Sequence, residues 1–405
     1  MSLLDDLARR RYILLCYAIS FVHFAQWQGL SPFVPIYATE LGATPAQAGL
    51  VVSLFGALPF LLAIPAGVLA DRVGHRILFI LGTAGTGAAG LVLQRADGLW
   101  TLGAAVGLIG VSQLLIVVGA QTFIAVAAPD KDAGFGYLTL LIGLGRTVGP
   151  VLCGWVKEFS GYHAVFTGFL AVSLLPILLA LFLPRGEWKS RHTRGTGDQK
   201  SNWVTILVGG SLTALYCSFA VNIAIGAYDS VYALYLHHLG LGAGAIGLLF
   251  SVQNATSIFI RPLIGWTVRL LGRYWLLALA MLGSFVGLAS TVIVDTLPLL
   301  ALCAGLFGLA KGASQPVTMA IIADSVPVER RGTAIGVRIS VNRLGQTISP
   351  VILGGIAGAA GFPAAFLGAG TVLLIGAAAA LRPALMGTGL ERPSATLGGN
   401  TGHKG

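Results

Sequence analysis

Long apolar segments separated by short polar turns account for most of this 405-residue sequence. Most of the segments can cross a bilayer core of about 30 Å as an α-helix, at about 1.5 Å per residue. We count twelve, with approximate bounds 12–38, 46–70, 76–95, 99–127, 134–157, 162–183, 203–237, 244–268, 273–294, 297–325, 332–358 and 362–384. The pattern predicts an all-α membrane protein with twelve transmembrane helices.

One long polar stretch interrupts this pattern before the C-terminal tail, and it separates the first six segments from the last six. We therefore expect an N-terminal six-helix bundle at 1–183, a central loop at 184–202 and a C-terminal six-helix bundle at 203–385. The remaining residues, 386–405, are rich in Gly, Thr and Ser, a composition typical of a disordered tail.

The two sets of segments resemble each other in order and spacing. Residues 37–42 (Tyr-Ala-Thr-Glu-Leu-Gly) match residues 235–240 (Tyr-Leu-His-His-Leu-Gly), and residues 144–154 match residues 344–354. Small residues recur at the same offset, with Gly49, Ser53, Gly67 and Gly74 opposite Gly247, Ser251, Gly265 and Gly272. Such a repeat predicts two pseudo-symmetric bundles related by an axis along the membrane normal.

Hydrophobic residues make up 56% of the chain and charged residues only 10%, whereas a soluble domain carries roughly 25% charged residues. This composition excludes a water-soluble globule. The formal net charge of +10 does not indicate a nucleic-acid partner, because the basic residues of the polar turns, except Arg95 and Lys157, lie on one side of the predicted membrane. By the positive-inside rule, we expect a multi-pass protein of the cell (inner) membrane with both termini and the central loop in the cytoplasm.

A short polar turn links the second and third segments, and it reads Gly67-x-x-x-Asp71-Arg72-x-Gly74-x-Arg76. This stretch resembles the signature that the major facilitator superfamily carries between its second and third helices. The resemblance extends over residues 10–385. It implies two six-helix bundles around a central cavity that opens alternately to the two sides of the membrane.

The resemblance assigns this turn the role of a conformational latch, whose contacts break and re-form as the bundles move. Its expected members are Gly67, Asp71, Arg72, Gly74 and Arg76, together with Asp324 and Arg331 of a second family-like turn at 323–332. The weaker copy of the signature at 265–273 has Arg269 where Asp71 stands. The alternative is a sidedness signal alone, in which the arginines only hold the turn in the cytoplasm.

The fifth segment carries a motif that resembles one of the drug:proton antiporters, formed by Gly145, Gly149, Pro150 and Gly154. Cys153 replaces one glycine of that motif. A second antiporter signature, an arginine in the fourth helix followed by Gln-Gly, is missing, because residues 108–115 contain no basic residue. The chain therefore resembles the twelve-helix drug or metabolite:proton antiporter branch, but the proton relay of that branch does not carry over directly.

Asp229 is the only acidic residue well inside a predicted span, about 12 Å from the outer end of the seventh segment at helical rise. A carboxylate is costly in hydrocarbon, which makes Asp229 a candidate for binding and releasing a proton. Alternatively, it is a structural carboxylate paired with a neighbouring Arg or Tyr. His23 is a second candidate, because imidazole titrates near physiological pH, or else a satisfied interior histidine.

Basic residues also lie within the predicted spans. Arg146, Lys311 and Arg343 are near mid-span, and uncompensated cations there favour an anionic or zwitterionic substrate. In the alternative, these cations pair with the carboxylate or with backbone carbonyl groups and touch no substrate. We interpret Arg261 as a structural partner between helices and Arg338 as an interfacial residue.

Uncharged polar side chains complete the predicted substrate site: Gln26, Asn222, Tyr232, Gln253, Asn254, Gln315, Asn342 and Gln346. His237 and His238 have no acid or cysteine clustered with them, and the four cysteines lie inside apolar segments, so we expect no metal site. The sequence contains no phosphate-binding loop and no nucleophile–His–acid pattern. We therefore expect neither a cofactor nor an enzyme.

Together these features predict a secondary active transporter that exports a small organic compound in exchange for protons, with Asp229 and His23 as the proton carriers. The alternative is uptake of a small organic anion by a proton symporter or a facilitator, which the basic cavity and the missing arginine of the fourth segment favour. A membrane sensor or scaffold without transport is a third hypothesis. The expected partners are the substrate, protons and the lipid bilayer, and we expect a monomer.

Overall fold

A computed structural model describes residues 3–184, 210–326 and 331–385. Within these ranges the chain is helical and contains no strand. The predicted central loop beyond residue 184, the first residues of the predicted C-terminal bundle and the predicted tail lie outside the described residues.

The described N-terminal half consists of α1 (Leu3–Leu30), α2 (Phe33–Glu40), α3 (Pro45–Leu93), α4 (Leu99–Ala127) and α5 (Lys131–Leu181). The described C-terminal half consists of α6 (Gly210–Ala227), a π-helical turn (Tyr228–Tyr232), α7 (Ala233–His238), α8 (Ala243–Phe259), a 3₁₀ turn (Arg261–Leu263), α9 (Ile264–Leu271), α10 (Arg273–Ala289), a second 3₁₀ turn (Ser290–Val292), α11 (Leu297–Asp324) and α12 (Arg331–Leu385). The helices α3, α5 and α12 each contain two of the segments predicted from the sequence.

Ten of the described helical stretches are long and apolar enough to cross a membrane. The two longest, Lys131–Leu181 and Ala334–Leu385, contain Gly161 with φ 72° and Gly361 with φ 84°. A positive φ interrupts the helical path, so each of these stretches is two helices joined by a kink. A count of twelve spans follows when both are divided at the glycine.

Positive φ angles repeat between the two halves. In the described chain they occur at three pairs of glycines: Gly42 and Gly240, Gly74 and Gly272, and Gly161 and Gly361. An L-residue with a Cβ is disfavoured in this region, by roughly 1–2 kcal/mol, so glycine is the residue that these tight reversals require. The matching geometry supports the repeat predicted from the sequence, including the turn of the signature at Gly74.

The two halves meet through α3 against α12 and α5 against α8. A Cβ placed on Gly49 would lie 2.0 Å from the carbonyl oxygen of Pro350, and a Cβ on Gly247 would lie 2.2 Å from that of Pro150. Only glycine permits helices to approach this closely. These contacts close the molecule at the face where α2 ends and α3 begins, which we call the closed face; the face where α1 begins and α12 ends is the chain-end face.

Candidate functional site: a basic cavity between the two halves

A cavity of about 490 Å³ lies between the two halves, and side chains of both halves line it. Trp27 stacks on Phe55 with ring centroids 3.8 Å apart, and both rings line the cavity below the closed face. Toward the chain-end face the lining residues include the exposed side chains of Gln121, Thr139 and Arg261. The cavity is therefore closed on one side and open toward the chain ends.

Positive charge dominates the described lining. Its basic residues are Arg146, Arg261, Lys311, Arg338 and Arg343, and its acidic residue is Asp229. The lining thus carries five cations against one carboxylate when all are ionised. A cavity with this imbalance attracts anionic groups.

Asp229 lies in the π-helical turn Tyr228–Tyr232. The tyrosines that bound this turn stack on each other with ring centroids 4.1 Å apart, and Tyr228 also stacks on Phe307 at 5.0 Å. Because the aromatic cluster holds the tyrosines in the core, Tyr232 is buried and does not line the cavity, whereas Asp229 does. Turns of this kind inside α-helices are frequent at functional sites.

Asp229 lines the cavity together with Lys311 and Arg146, and both cations are close enough to interact with it electrostatically. The ion pairs found among the described side chains join Lys157 to Glu40 and Arg273 to Asp324. Within the described chain, the carboxylate therefore has cations nearby without a direct ion pair.

The cations of the cavity differ in how they are held. Arg338 donates to the backbone oxygen of Gln315 at 2.8 Å and to the hydroxyl of Thr318 at 3.2 Å, so it joins α12 to α11. Arg146 lies over the ring of Phe24, with 4.9 Å from its guanidinium carbon to the ring centroid, and its buried Nε atom has no hydrogen-bond partner in the part of the chain that the structure describes. Among the described residues, neither Arg261 nor Lys311 donates a side-chain hydrogen bond.

Hydrogen bonds between α6 and α12 form a ladder along the cavity wall. Ser218 donates to the side-chain oxygen of Asn342 at 2.6 Å, and Gln346 donates to that of Asn222 at 2.7 Å. Further toward the closed face, Ser349 donates to the carbonyl oxygen of Ile223 at 2.6 Å. Three amides predicted to bind substrate therefore line the cavity: Asn222 and Gln346 hold each other, and Asn342 is held by Ser218. Their role toward a substrate stays a prediction.

The structure brings most of the predicted substrate residues together, because Arg146, Lys311, Arg343, Asn222, Asn254, Gln315, Asn342 and Gln346 all line the cavity. Three others are not among its lining residues. Gln26 donates to the carbonyl oxygen of Phe169 at 2.8 Å, Tyr232 belongs to the aromatic cluster, and Gln253 is buried. Gln28, two residues after Gln26, lines the cavity instead.

His23 lies outside the cavity. It is buried in the N-terminal half, where its Nδ1 atom is 3.2 Å from the hydroxyl of Thr86, and its Nε2 atom has no hydrogen-bond partner among the described residues. Its assignment as a proton carrier stays a prediction, and any such role requires a route through the bundle to the cavity.

Arg261 and Arg338 are the cavity residues that sequence reasoning placed elsewhere. Arg338 is buried on the cavity wall, in place of the expected membrane interface. Arg261 opens a 3₁₀ turn with Pro262, and this break between α8 and α9 leaves its side chain exposed in the cavity. A basic residue next to a proline inside an apolar segment is the signal that points to such a position.

The signature turn is described in part. Gly74 has the positive φ of a tight turn, and Arg76 donates to the carbonyl oxygen of Leu181 at 2.8 Å. Arg273 bonds Asp324 at 2.6 Å in the other half. Both contacts stay within one half. The structure does not describe the side chains of Asp71, Arg72 and Arg331, nor the surroundings of Gly67. The latch therefore stays a prediction.

The motif of the fifth segment packs α5 against two partners. A Cβ on Gly145 would lie 2.5 Å from the carbonyl oxygen of Phe21, and one on Gly149 would lie 2.1 Å from that of Ala25, so both glycines seat α5 on α1. Gly154 instead contacts the other half, because its Cβ would lie 2.5 Å from the carbonyl oxygen of Ala243. The motif therefore joins the interior of one half to the closure between the halves.

A family model described as the Major Facilitator Superfamily matches residues 16–242 and 214–396. Among curated relatives, the multidrug resistance protein MdtG of Salmonella paratyphi A is 27% identical over 381 residues, which cover 87% of this chain and 90% of the relative. MdtG of Escherichia fergusonii is 26% identical over 395 residues, which cover 91% and 93%. The predicted resemblance to the drug:proton antiporter branch is confirmed by these relatives.

Solved structures share the fold at low identity. A bacterial homologue of the human lysosomal transporter Spinster, in an inward-facing and unoccupied conformation, matches with a TM-score of 0.76 and 14% identity over 93% of this chain and 97% of that one. The peptide transporter POT in complex with sulfate matches with a TM-score of 0.76 and 16% identity over 93% and 94%. The all-α membrane fold predicted from the sequence is confirmed.

Proposed function

Because the chain belongs to the Major Facilitator Superfamily and is therefore a multi-pass membrane transporter rather than an enzyme, we propose that it exports a small organic compound in exchange for protons. The observation that carries this proposal is the position of Asp229, the one carboxylate among the cations of the described cavity lining between the two halves. The relatives named for multidrug resistance support efflux as the direction and a drug-like compound as the cargo.

The proposed site of action is the cell (inner) membrane, with the chain-end face in the cytoplasm as the positive-inside rule indicates. In that orientation the cavity is open to the cytoplasm and receives its substrate from there. The proposed moving bodies are the bundles at 1–183 and 203–385, which act within one monomer. They rock so that contacts at the closed face break while the chain-end side closes.

Antiport requires that a proton and the substrate compete for the transporter. In this proposal the proton binds Asp229, so the substrate must carry a group that prefers the ionised carboxylate. A substrate with a positive group near Asp229 and a negative group among the arginines satisfies both the carboxylate and the cations. We therefore propose a zwitterionic compound as the cargo.

Proton symport of a small organic anion is the second candidate, and the five cations of the described cavity lining favour it. Protonation of Asp229 removes the one negative charge of the described lining, so it strengthens rather than weakens the binding of an anion. An anion without a positive group would therefore travel with the proton. The charge of the substrate decides between the two candidates.

Transport in inside-out membrane vesicles distinguishes the two. Compounds are first selected by thermal stabilisation of the purified protein, because a ligand that binds the folded state raises its stability. Antiport predicts that an acidic vesicle lumen drives accumulation of a selected zwitterion. Accumulation that requires an alkaline lumen, or that occurs only for anions without a positive group, contradicts antiport and supports symport.

A further inference from the structure

We propose that Arg146 and Arg261, one from each half, form a clamp for the anionic group of the substrate, and that binding of this group draws the two halves together on the chain-end side. The inference rests on the proposed transport function and identifies how the same cavity senses its cargo. It assigns a substrate-binding role to Arg261, which sequence reasoning treated as a structural partner.

The two arginines face the cavity from opposite sides of the boundary between the halves. Arg146 belongs to α5, and Arg261 belongs to the 3₁₀ turn that follows α8. Among the described residues, the guanidinium of Arg146 contacts the face of Phe24, and its buried Nε atom has no hydrogen-bond partner there. Arg261 makes no side-chain hydrogen bond to the described residues. Both guanidinium groups are therefore free to receive an oxyanion.

The elements that carry the two arginines pack against each other close to them, because a Cβ on Gly143 of α5 would lie 2.6 Å from the side chain of Ile258 in α8. Two like charges that line one cavity here repel each other across the boundary between the two halves. This repulsion favours the arrangement in which the chain-end side is open. An anion between the guanidinium groups replaces the repulsion with two attractions, which favours closure.

The other cations of the cavity are less suited to this role. Arg338 is engaged by Gln315 and Thr318, and Arg343 lies 3.5 Å from the side-chain oxygen of Gln346. Lys311 interacts with Asp229, as noted above, and a lysine provides a point charge without a planar fork. Arg343, Arg338 and Lys311 also belong to the same half, so none of them can bridge the boundary with Arg261.

The two guanidinium groups determine which chemical group the clamp can bind. A guanidinium donates two parallel N–H bonds to a carboxylate or a phosphate group. A compact oxyanion with several acceptor oxygens can accept hydrogen bonds from both guanidinium groups at once. We therefore expect a substrate whose negative end is a carboxylate or a phosphate, and inorganic phosphate serves as a minimal probe of the clamp.

The first test measures thermal stabilisation of the purified full-length protein by inorganic phosphate. Removing one guanidinium group from the clamp should weaken phosphate binding by at least ~10-fold, as expected for the loss of a charge-assisted hydrogen bond. Arg146→Gln and Arg261→Gln should each lose most of the response, and the double variant should lose little more. Arg269→Gln removes the same charge from an exposed position outside the cavity, so it should respond like the wild type, including the general stabilisation that phosphate gives to proteins.

The second test measures closure. Gly136 and Gly336 are exposed on the chain-end side of α5 and α12, and a Cβ at either position meets no atom within 4 Å. Spin labels on cysteines at these positions, in a background without the native cysteines, report the distance between the halves. Phosphate should shorten this distance in the wild type and in Arg269→Gln, but not in Arg261→Gln.

Arg261→Lys keeps the positive charge, and it serves as a second variant in case Arg261→Gln fails to fold. It should retain part of the stabilisation while losing most of the closure. An equal response to phosphate in the wild type, Arg146→Gln and Arg261→Gln would overturn the clamp. The absence of any phosphate response in the wild type would also overturn it. Neither result bears on proton exchange, which the vesicle assay measures separately.

Discussion

Gly247 lies so close to Pro150 that a Cβ on the glycine would be 2.2 Å from the proline carbonyl oxygen. The internal repeat pairs these residues with Gly49 and Pro350, and the same contact recurs there at 2.0 Å. Each contact joins a helix of one half to a helix of the other. Two equivalent backbone contacts therefore help to seal the closed face.

Alanine at Gly247 or Gly49 should open this seal. The added methyl group overlaps a carbonyl oxygen that belongs to a helix, and overpacking of this kind costs about 1–3 kcal/mol. The equilibrium should shift toward the state open at this face, so the distance between labels at 136 and 336 should shorten without any ligand. Gly355→Ala is the control, because a Cβ there meets no atom within 4 Å; an equal shift in that variant would contradict the prediction.

Glu158 provides a side-chain contact across the same boundary. Its carboxylate accepts a hydrogen bond from the backbone N–H of Gly244, in the first turn of α8. A negative charge stabilises a helix N-terminus by about 0.3–1 kcal/mol. Glu158→Gln should therefore favour opening of the closed face, though less than the alanine variants do.

Glu40→Gln is the matched control for Glu158→Gln. Glu40 lies at the end of α2 and pairs with Lys157 of the same half at 3.8 Å. Its neutralisation leaves the boundary between the halves intact. The measurement uses a cysteine introduced at the cavity residue Gln28 and a membrane-impermeant thiol reagent added at the closed face. Labelling of this cysteine should increase in Glu158→Gln and stay unchanged in Glu40→Gln.

The hydrogen bond from Gln346 to Asn222 should contribute to stability. Both groups are held on the cavity wall, and Asn222 is 1% exposed. Gln346→Leu leaves a buried amide oxygen without its donor, which costs about 1–3 kcal/mol. The melting temperature should fall in Gln346→Leu and in Asn222→Leu, and the double variant should lose less than the sum. Additive losses would show that the two side chains do not act through this bond.

Much of the fold follows from the sequence because hydrocarbon imposes strong rules on it. A spanning helix must be long and apolar, and a reversal with positive φ requires glycine, so the spans and the turn at Gly74 are visible in the residue pattern. The repeat adds the pairing of Gly49 with Gly247. It does not reveal that each glycine contacts a proline of the other half, since that requires the packing of the two halves.

Side-chain direction is the part that the sequence does not reveal. Within a nearly uniform apolar helix, polar residues do not mark the face toward a cavity, because the membrane side and the protein side are both apolar. Gln26 and Gln28 are equally plausible from the pattern, yet only Gln28 lines the cavity. Likewise, the π-helical turn around Asp229 adds one residue to a helical turn, and this changes the side of the helix on which Tyr232 lies.

In the proposed mechanism, Asp229 couples proton movement to export. The decisive measurement compares Asp229→Asn with the wild type in inside-out vesicles loaded at acidic pH, with Asp295→Asn, an exposed acidic residue in the turn before α11, as the control. Proton-driven accumulation of a selected zwitterion should disappear in Asp229→Asn and persist in Asp295→Asn, while exchange of substrate for substrate persists in both. Undiminished proton-driven accumulation in Asp229→Asn would contradict the account.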